Sequence, residues 1–368
     1  MPKVLRINAS SEQGLKELLK FLLESGKVKS VLTLRKMGEQ GAIAYSLVTS
    51  PGSIDSILPF FPLMPVNLAN HLSLLTLKEA ATEPIAVVLR PCELRAFVEL
   101  VKREQGSLEN FLFISSTCGG VYPLKMAVEG SIEGKLPQYW EAVEQGEVAP
   151  DIRPACKACA YFVPYTADIT ISLLGNKDID KETVIFLNTE KGEDFVQGIS
   201  GKFSEEELDS TTMERIRSKR EAEKQKLSDE IEMKNLGIDE LAKTFSRCIG
   251  CHNCSKVCPI CYCHVCFFDT EASEHELDSY ETELEKMGYV NVLPDTLFYQ
   301  LVRLFHVSAS CVACGQCADV CPADIPLWAI SLKAGEAVQK AFDYLPGRDM
   351  EEGLPLTTFK PEEFAGVA

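Results

Sequence analysis

The sequence contains no apolar segment long enough to cross a membrane. A membrane helix needs about 20 consecutive apolar residues, whereas the apolar stretch at residues 57–66 is interrupted by three prolines. The first residues also lack the apolar core of a secretory signal peptide. These absences favour a cytoplasmic protein without a membrane span.

Positive charge is scarce in this chain. Its 37 Lys and Arg residues face 54 Asp and Glu residues, which gives a formal net charge of −17 at pH 7. Because nucleic-acid binding depends on a basic surface that neutralises phosphates, this balance argues against a nucleic-acid partner. The acidity is interpreted as a source of solubility, or alternatively as a field that steers a basic redox partner.

Nucleotide-binding and hydrolytic motifs are missing as well. The chain carries neither a G-x-G-x-x-G fingerprint nor a P-loop, so a standard Rossmann NAD site is not supported. No Ser–His–Asp or paired-carboxylate arrangement is evident. No catalytic side chain is therefore predicted.

Cysteine, in contrast, is abundant, with fifteen residues. In a long chain without an export signal, this number indicates metal or redox chemistry rather than disulfides. Residues 248–258 and 311–321 each contain the run C-x2-C-x2-C-x3-C, followed by proline, which is typical of [4Fe–4S] ferredoxins. Zinc also binds C-x2-C pairs, but it would not explain two such runs.

The spacing of these runs predicts which thiolates share a cluster. Three cysteines of one run bind one cluster, and the fourth, before proline, binds the other. The first cluster is therefore predicted on Cys248, Cys251, Cys254 and Cys321. The second is predicted on Cys311, Cys314, Cys317 and Cys258.

Three more cysteines follow the first run directly, namely Cys261, Cys263 and Cys266. One interpretation is a further cluster or a zinc ion, with His264 or a distant cysteine as the remaining ligand. The other is a set of core thiols beside the clusters, since free cysteine is commonly buried. The sequence leaves both open.

The four remaining cysteines lie in the N-terminal half, before the charged middle of the chain. Cys92 and Cys118 each follow a predicted strand, and Cys156 and Cys159 form a C-x2-C pair. Because ligands gather at the carboxyl ends of parallel strands, one interpretation is a single four-thiolate set. Unrelated buried cysteines are the other.

Hydrophobic periodicity predicts an α/β domain over residues 1–204. Helical patterns at 14–26 and 92–104 alternate with extended patterns at 28–36, 85–89, 111–116, 167–175 and 183–188. Strands separated by helices favour a mostly parallel sheet.

Three further regions follow. Residues 205–245 are dense in charge, which is typical of a solvated helical connector or, alternatively, of a partner-binding arm. An α-rich dicluster ferredoxin-like domain is predicted at 246–335, with an acidic insert at 270–305. The tail, residues 336–368, is expected to wrap a surface or a partner.

Several segments of residues 14–205 resemble one known family. They are GLKELLKFLLESGKVKSVL, RPCELRAFVELVK, FLFISSTCGG, RPACKACAYFVPYTADITISLLG and IFLNTEKGEDFVQ. In this order they resemble the beta subunits of coenzyme F420-reducing hydrogenase and F420-dependent formate dehydrogenase. The doubled cysteine module, with its CPICYCHVC extension, resembles the C-terminal part of larger members.

The resemblance implies an iron–sulfur flavoprotein subunit of an oxidoreductase. It implies that the α/β domain binds FAD and that Cys92, Cys118, Cys156 and Cys159 hold a third [4Fe–4S] cluster. It also implies a hydride carrier, F420 or NAD(P)H, and a partner subunit of a hydrogenase, formate dehydrogenase or heterodisulfide-reductase-like complex. The alternative is a flavin-free, polyferredoxin-like relay, and a less favoured one is an assembly protein with structural clusters.

Candidate FAD contacts are chosen by chemistry. Pyrophosphate favours glycine-flanked loops and helix N-termini, and glycine permits close approach of the backbone to a ligand. The candidates are Arg90, Thr117, Gly119, Gly120, Asn188, Thr189, Lys191 and Gly192. The alternatives are ordinary surface or glycine turns and an Arg90 that pairs with an acidic side chain.

Overall fold

The structure, a computed structural model, describes residues 2–38, 42–230, 237–270, 277–289 and 296–355. Parts of the predicted connector, insert and tail therefore lie outside the described residues, namely 231–236, 271–276, 290–295 and 356–368. Within the described ranges, no helix has both the length and the apolar character that a membrane crossing requires.

One eight-stranded sheet organises the N-terminal half. The strands are β1 (Lys3–Ile7), β2 (Ser30–Met37), β3 (Ala42–Val48), β4 (Ile85–Val88), β5 (Phe111–Ser116), β6 (Ile169–Ile171), β7 (Thr183–Leu187) and β8 (Lys202–Glu205). Their order is β3-β2-β4-β5-β6-β7-β1-β8.

The sheet is mixed, with a parallel centre. Strands β2, β4, β5 and β6 pair in parallel, and β1 runs in the same direction as these four. Strands β3, β7 and β8 run the opposite way, so five of the eight strands share one direction. The expected α/β class with strands mostly in one direction is confirmed, while the antiparallel pairs toward both sides of the sheet were not predicted.

Fourteen helices are described. They are α1 (Ser11–Glu24), α2 (Leu68–Thr76), α3 (Pro91–Val101), α4 (Leu124–Val128), α5 (Leu136–Gln145), α6 (Pro154–Lys157), α7 (Glu190–Phe195), α8 (Ser210–Glu230), α9 (Ile238–Phe245), α10 (Asn253–Lys256), α11 (Leu277–Met287), α12 (Thr296–Val307), α13 (Gln316–Asp319) and α14 (Leu327–Ala341). The second half of the chain is thus helical, as expected for the cysteine-rich module.

Helix α1 illustrates how the local sequence fixes these elements. The Ser10 side chain accepts a hydrogen bond from the Gln13 amide at 3.3 Å and so caps the first turn. Leu15, Leu18 and Leu22 recur at helical spacing and are fully buried against the sheet. The buried stripe and the cap together explain why the predicted helix forms.

The carboxyl ends of β4 and β5 lie side by side, because these strands pair in parallel with Val88 opposite Ile114. Helix α3 starts directly after β4, and the Glu93 carboxylate accepts the Arg90 amide at 2.8 Å across its first turn. This turn places Arg90 and Cys92 at the same sheet edge as residues 117–120, which follow β5. The fold thereby creates one edge that carries most of the predicted site residues.

The connector helix α8 is not merely solvated. Met213, Ile216 and Arg220 are buried, at a spacing that places them on one face of the helix. On its outer side, Lys219 pairs with Glu147 of the α/β domain, and Lys224 pairs with Glu336 of α14. The sequence did not indicate this buried face, because a few buried positions are enough to pack one side of a helix whose other residues are charged.

The described part of the predicted tail packs on α3. Arg95 Nε donates to the Pro346 carbonyl at 2.7 Å, and the Gly347 amide donates to Glu99 Oε1 at 2.8 Å. A Cβ at Gly347, whose φ is +68°, would lie 2.3 Å from the Arg95 carbonyl oxygen, so glycine is required. Of the two expected roles for the tail, these residues fit the one that covers the chain's own surface.

Candidate functional site

The four cysteines of the predicted first cluster line one cavity, beside α10 and α12. They are Cys248, Cys251, Cys254 and Cys321. Gly250 and His252 have left-handed backbone angles, so the loop curls and carries its cysteines to the same cavity. Cys254 is buried, whereas Cys251 is exposed. One side of this candidate centre therefore faces the surface.

The four cysteines of the predicted second cluster line another cavity. They are Cys258, Cys311, Cys314 and Cys317. Arg303, Trp328 and Ser331 border the same cavity. The fourth cysteine of each run thus lies with the first three of the other run, which is the exchange that the spacing predicts. Cluster binding itself stays a prediction.

The cysteines Cys92, Cys118, Cys156 and Cys159 gather at the carboxyl edge of β4 and β5. Burial raises the pKa of the Cys92 thiol well above its ordinary value, and nearby Cys314, Cys118 and Cys156 raise it further. Arg220 donates to the carbonyls of Cys118 and Cys159 at 2.9 and 3.4 Å. The structure therefore brings a third four-thiol set together.

Two observations place the third set near the second. The thiol of Cys92 lies within electrostatic range of that of Cys314, in the ferredoxin module. A Cβ at Gly315 would lie 2.5 Å from the Cβ of Ala155, the residue before Cys156. Because Gly315 has no side chain, the two cysteine loops touch. Arg303 in turn donates to the Cys254 carbonyl of the first set and borders the cavity of the second, so the second set has the other two as neighbours.

All fifteen cysteines are free of disulfides. In the part of the chain that the structure describes, no group of three or more His, Cys, Asp or Glu side chains is arranged to hold a single metal ion. A four-iron cube carries one ligand on each iron and so needs a wider arrangement of thiolates than one ion does. The absence of a single-ion site therefore does not decide whether the cysteine sets fit a cube. Hydrogen-bond donors around the cysteines are the evidence that bears on it.

The remaining three cysteines, Cys261, Cys263 and Cys266, differ in their surroundings. Cys261 lies in hydrogen-bonding contact with Cys258, a member of the second set. Cys263 is exposed, and Cys266 precedes a short 3₁₀ turn at Phe267–Asp269. Exposure of Cys263 disagrees with the core-thiol interpretation for that residue, and a further metal site here stays a prediction.

A cavity at the sheet edge adjoins the third set. Its lining includes four residues that the sequence singled out as flavin contacts or cluster ligands, namely Arg90, Cys118, Gly119 and Gly120. The walls also include Tyr45, Tyr139 and the apolar side chains of Leu34, Phe60 and Leu173. Tyr45 and Tyr139 were missed, because aromatic residues at these positions look like ordinary core residues in a sequence.

The polar groups of this cavity are held by the fold. Arg90 Nη2 donates to the carbonyls of Phe61 and Leu63 at 2.7 and 2.8 Å, and Arg90 Nη1 lies 3.5 Å from Glu93 Oε2. Pairing with an acidic side chain was the alternative for this arginine, and the structure contains that pair. Tyr45 donates to the same carboxylate of Glu93.

Residues 117–120 make hydrogen bonds and close contacts that hold the backbone beside this cavity. The Thr117 hydroxyl accepts the Leu173 and Leu174 amides at 2.8 and 2.9 Å, so this side chain ties β5 to the segment after β6. A Cβ at Gly119 would lie 2.6 Å from Tyr139 Oη, and the Gly120 carbonyl accepts the Tyr139 hydroxyl at 2.9 Å. The glycines thus admit Tyr139 to the cavity wall.

The loop with Asn188, Thr189, Lys191 and Gly192 lies at the opposite edge of the sheet. Strand β7 is antiparallel to β6, so the end of β7 meets the beginning of β6. Lys191 pairs with Asp168 at 3.0 Å, and Asn188 Nδ2 donates to the Ala167 carbonyl at 3.0 Å. The structure does not bring these four residues to the Arg90 cavity, and their role as flavin contacts stays a prediction.

The Thr189→Ala substitution tests whether this loop contributes to flavin binding. The Thr189 hydroxyl accepts the Gly192 amide at 3.0 Å and donates to Asp168 at 2.8 Å, so it caps α7. We expect a loss of about 1 kcal/mol in the free energy of unfolding, with flavin content unchanged. Thr211→Ala, at an exposed site, is the control. A loss of bound flavin in Thr189→Ala would instead support the predicted flavin contact.

Comparison with known proteins matches both halves of the chain. Residues 138–211 match the family model for the C terminus of the beta subunit of coenzyme F420 hydrogenase/dehydrogenase, and residues 244–325 match the "4Fe-4S dicluster domain". The chain is 27% identical over 363 residues to the F420-dependent formate dehydrogenase subunit beta of Methanocaldococcus jannaschii, covering 90% of each protein. It is 29% identical over 376 residues to F420-dependent formate dehydrogenase 1 subunit beta of Methanococcus maripaludis, covering 91% of this chain and 90% of the relative.

Among solved structures, a chain of the F420-reducing [NiFe] hydrogenase complex from Methanosarcina barkeri aligns with 64% of this chain and 94% of its own length, at 14% identity and a TM-score of 0.44. The two formate dehydrogenase relatives are oxidoreductase subunits, which confirms the expected enzyme class. The resemblance seen in the sequence is confirmed: the chain matches the C-terminal model of the coenzyme F420 hydrogenase/dehydrogenase beta subunit and, after it, the model of a 4Fe-4S dicluster domain.

Proposed function

We propose that this chain transfers electrons between a flavin site at the sheet edge and a partner enzyme through three [4Fe–4S] clusters. The observation that carries the proposal is the adjacency of the three cysteine sets. Gly315 of the second set lies against Ala155, the residue before Cys156, and Arg303 contacts Cys254 of the first set while bordering the cavity of the second. Adjacent centres would provide a path for single electrons from the sheet edge to the first set, where Cys251 is exposed.

The surroundings of the cysteines suit iron–sulfur clusters. Beside the second set, the Ser331 hydroxyl and two nitrogens of Arg303 are buried, and they have no hydrogen-bond partner among the described residues. A buried donor without an acceptor destabilises a protein by about 1–3 kcal/mol. The sulfur atoms of a cluster accept such hydrogen bonds, so the donor set fits this cofactor and supports the proposal.

The cavity lined by Arg90, Tyr45 and Tyr139 is proposed as the flavin site. Its walls combine apolar side chains with these polar groups, and the buried Ser115 hydroxyl on its lining has no partner among the described residues. This mixture suits a ring system with apolar faces and a polar edge. A bound flavin takes up a hydride's two electrons together and passes them on singly.

The protein's own residues would hold and shield this group. Tyr45 and Arg90 are fixed by Glu93 and by the carbonyls of Phe61 and Leu63, so the polar wall is rigid before any ligand binds. Phe60 and Leu173, which also line the cavity, would supply apolar contacts and limit the entry of water. Arg220, which binds the carbonyls of Cys118 and Cys159, fixes the loops between this cavity and the third cysteine set.

The carrier and the partner follow from the relatives. Both curated relatives are named as subunits of F420-dependent formate dehydrogenase, and we propose reduced F420 as the hydride carrier, with NAD(P)H as the alternative. The partner would be the catalytic subunit of a formate dehydrogenase, or of a hydrogenase or heterodisulfide-reductase-like complex. It would meet the first cluster, where Cys251 is exposed.

A second candidate function is a relay without flavin. The observation in its favour is that the Arg90 guanidinium is occupied by two carbonyls and Glu93. It therefore presents no free positive charge to a pyrophosphate. In this case the α/β domain would only carry the third cluster and dock the partner.

The deciding measurement is the FAD and iron content of anaerobically purified protein. We expect one FAD per chain and about twelve irons, as three clusters require. The reduced carriers F420 and NADPH are then added separately, and cluster reduction is followed by EPR. About eight irons without FAD, even after reconstitution with FAD, would contradict the flavin proposal and the third cluster.

A further inference from the structure

Helix α12 directs three buried polar side chains toward two of the cysteine sets. Tyr299, Gln300 and Arg303 are 3%, 2% and 5% exposed. Positions 299, 300 and 303 lie within one turn on the same side of a helix. Polar side chains of this size are seldom buried without hydrogen-bond partners.

Gln300 and Tyr299 contact cysteines of the first set. Gln300 Nε2 lies 3.6 Å from Cys248 Sγ and 3.9 Å from Cys254 Sγ, which is within hydrogen-bonding reach of sulfur. Tyr299 Oη lies 3.6 Å from Cys254 Sγ. Two polar side chains of one helix therefore contact the thiols of the predicted first cluster.

Arg303 stands between the first and second sets. Its Nη2 donates to the Cys254 carbonyl at 3.2 Å, while its side chain borders the cavity of the second set. Its Nε and Nη1 have no partner among the described residues. Arg303 is therefore a buried cation whose nitrogens lie beside two cysteine sets.

We propose that α12 sets the reduction potentials of the two ferredoxin-module clusters, with Arg303 acting on both and Gln300 on the first alone. This inference rests on the proposed cluster ligation. One-electron reduction makes a cluster more negative, with no proton or group transferred, so a fixed cation nearby stabilises the reduced form. Burial strengthens that attraction, because the local dielectric constant is low. Hydrogen bonds to thiolate and sulfide sulfur act in the same direction.

Gln300 and Arg303 are thus positioning residues that keep both clusters easier to reduce than they would be in an apolar pocket. A single helix that contacts both sites also ties their potentials together. Electrons that arrive from the third set then meet two acceptors whose potentials respond to the same side chain.

The experiment is an EPR-monitored redox titration of the purified protein and its variants. For Arg303→Gln we expect the equilibrium constant for one-electron reduction of both clusters to fall at least tenfold. A tenfold change corresponds to about 59 mV toward negative potential. Gln300→Met, which removes the amide at nearly constant length, is expected to shift the first cluster alone.

Two further variants are the controls for Arg303→Gln. Arg303→Lys keeps the charge and is expected to return the potentials toward those of the unaltered protein, which a purely structural role would not require. Lys340→Gln removes one exposed positive charge, and water screens that charge, so we expect no shift. If Arg303→Gln loses iron, the reduction potentials of Arg303→Lys and Gln300→Met still test the proposal.

The outcomes separate this inference from the proposed function. Unaltered protein without ferredoxin-module clusters would overturn the ligation itself. Clusters that are present but keep their potentials within a tenfold change in Arg303→Gln would overturn the role of α12 and leave the relay intact. Equal shifts of both clusters in Gln300→Met would overturn the assignment of Gln300 to the first.

Discussion

Replacing Cys314 by alanine is expected to remove about four irons per chain and to stop electron transfer from the sheet edge to the first cluster. Cys314 lines the second cavity and also lies within electrostatic range of Cys92 of the third set. Cys314 therefore belongs to the set that connects the third set with the first in the proposed path. Iron analysis measures the first effect, and stopped-flow reduction of the first cluster by the hydride carrier measures the second.

Cys263→Ser is the matched control for Cys314→Ala. Cys263 belongs to the same cysteine-rich module but is exposed and lines none of the three sets. We expect full iron content and normal transfer. Full iron in Cys314→Ala would contradict the second cluster, and normal transfer despite lost iron would contradict the proposed path. Iron lost from Cys263→Ser would instead reveal a further metal site.

Replacing Arg153 by methionine is expected to lower the free energy of unfolding by about 3–5 kcal/mol. Arg153 is 1% exposed and belongs to the α/β domain, whereas its partner Asp319 belongs to the ferredoxin module. The charged atoms lie 2.7 Å apart, and Arg153 also donates to Gln316 Oε1 at 3.1 Å and to the Met64 carbonyl at 3.1 Å. The substitution leaves a buried carboxylate without its cation.

Denaturant-induced unfolding of protein with its native iron content measures the effect. The control is Lys181→Met, since Lys181 and Asp178 form an exposed pair whose side chains are 80% and 62% exposed. We expect a change of about 1 kcal/mol or less there. The double variant Arg153→Met, Asp319→Leu should recover part of the loss, because both buried charges are removed. Equal losses in Arg153→Met and Lys181→Met would show that the domain contact adds no stability.

The two ferredoxin-module sets were predictable from the sequence because their signal is local. Two-residue gaps place three thiols on one curled loop, and proline turns the chain after the fourth. Cys258 accordingly lies with Cys311, and Cys321 lies with Cys248. For the third set, residue spacing left two interpretations open, and only the resemblance favoured a common centre.

The separation of the candidate flavin contacts into two places has an identifiable cause. Strand β7 was treated as a member of a parallel sheet, in which every carboxyl end meets the same edge. It is antiparallel to β6, so Lys191 and its neighbours lie across the sheet from Arg90. A buried strand such as TVIFL has the same apolar pattern in either direction, which leaves its direction undetermined by periodicity.

The sequence by itself determined the number of cysteine runs, the exchange of their fourth members, the α/β class and the helical nature of the second half. These properties depend on short-range spacing and on the periodicity of apolar residues. Only the tertiary structure decided that the loop of Gly315 packs against Ala155, that Arg220 reaches the third set and that Arg303 lies between the other two. Contacts between residues far apart in the chain depend on strand direction and on the docking of whole elements, and local sequence patterns do not encode either.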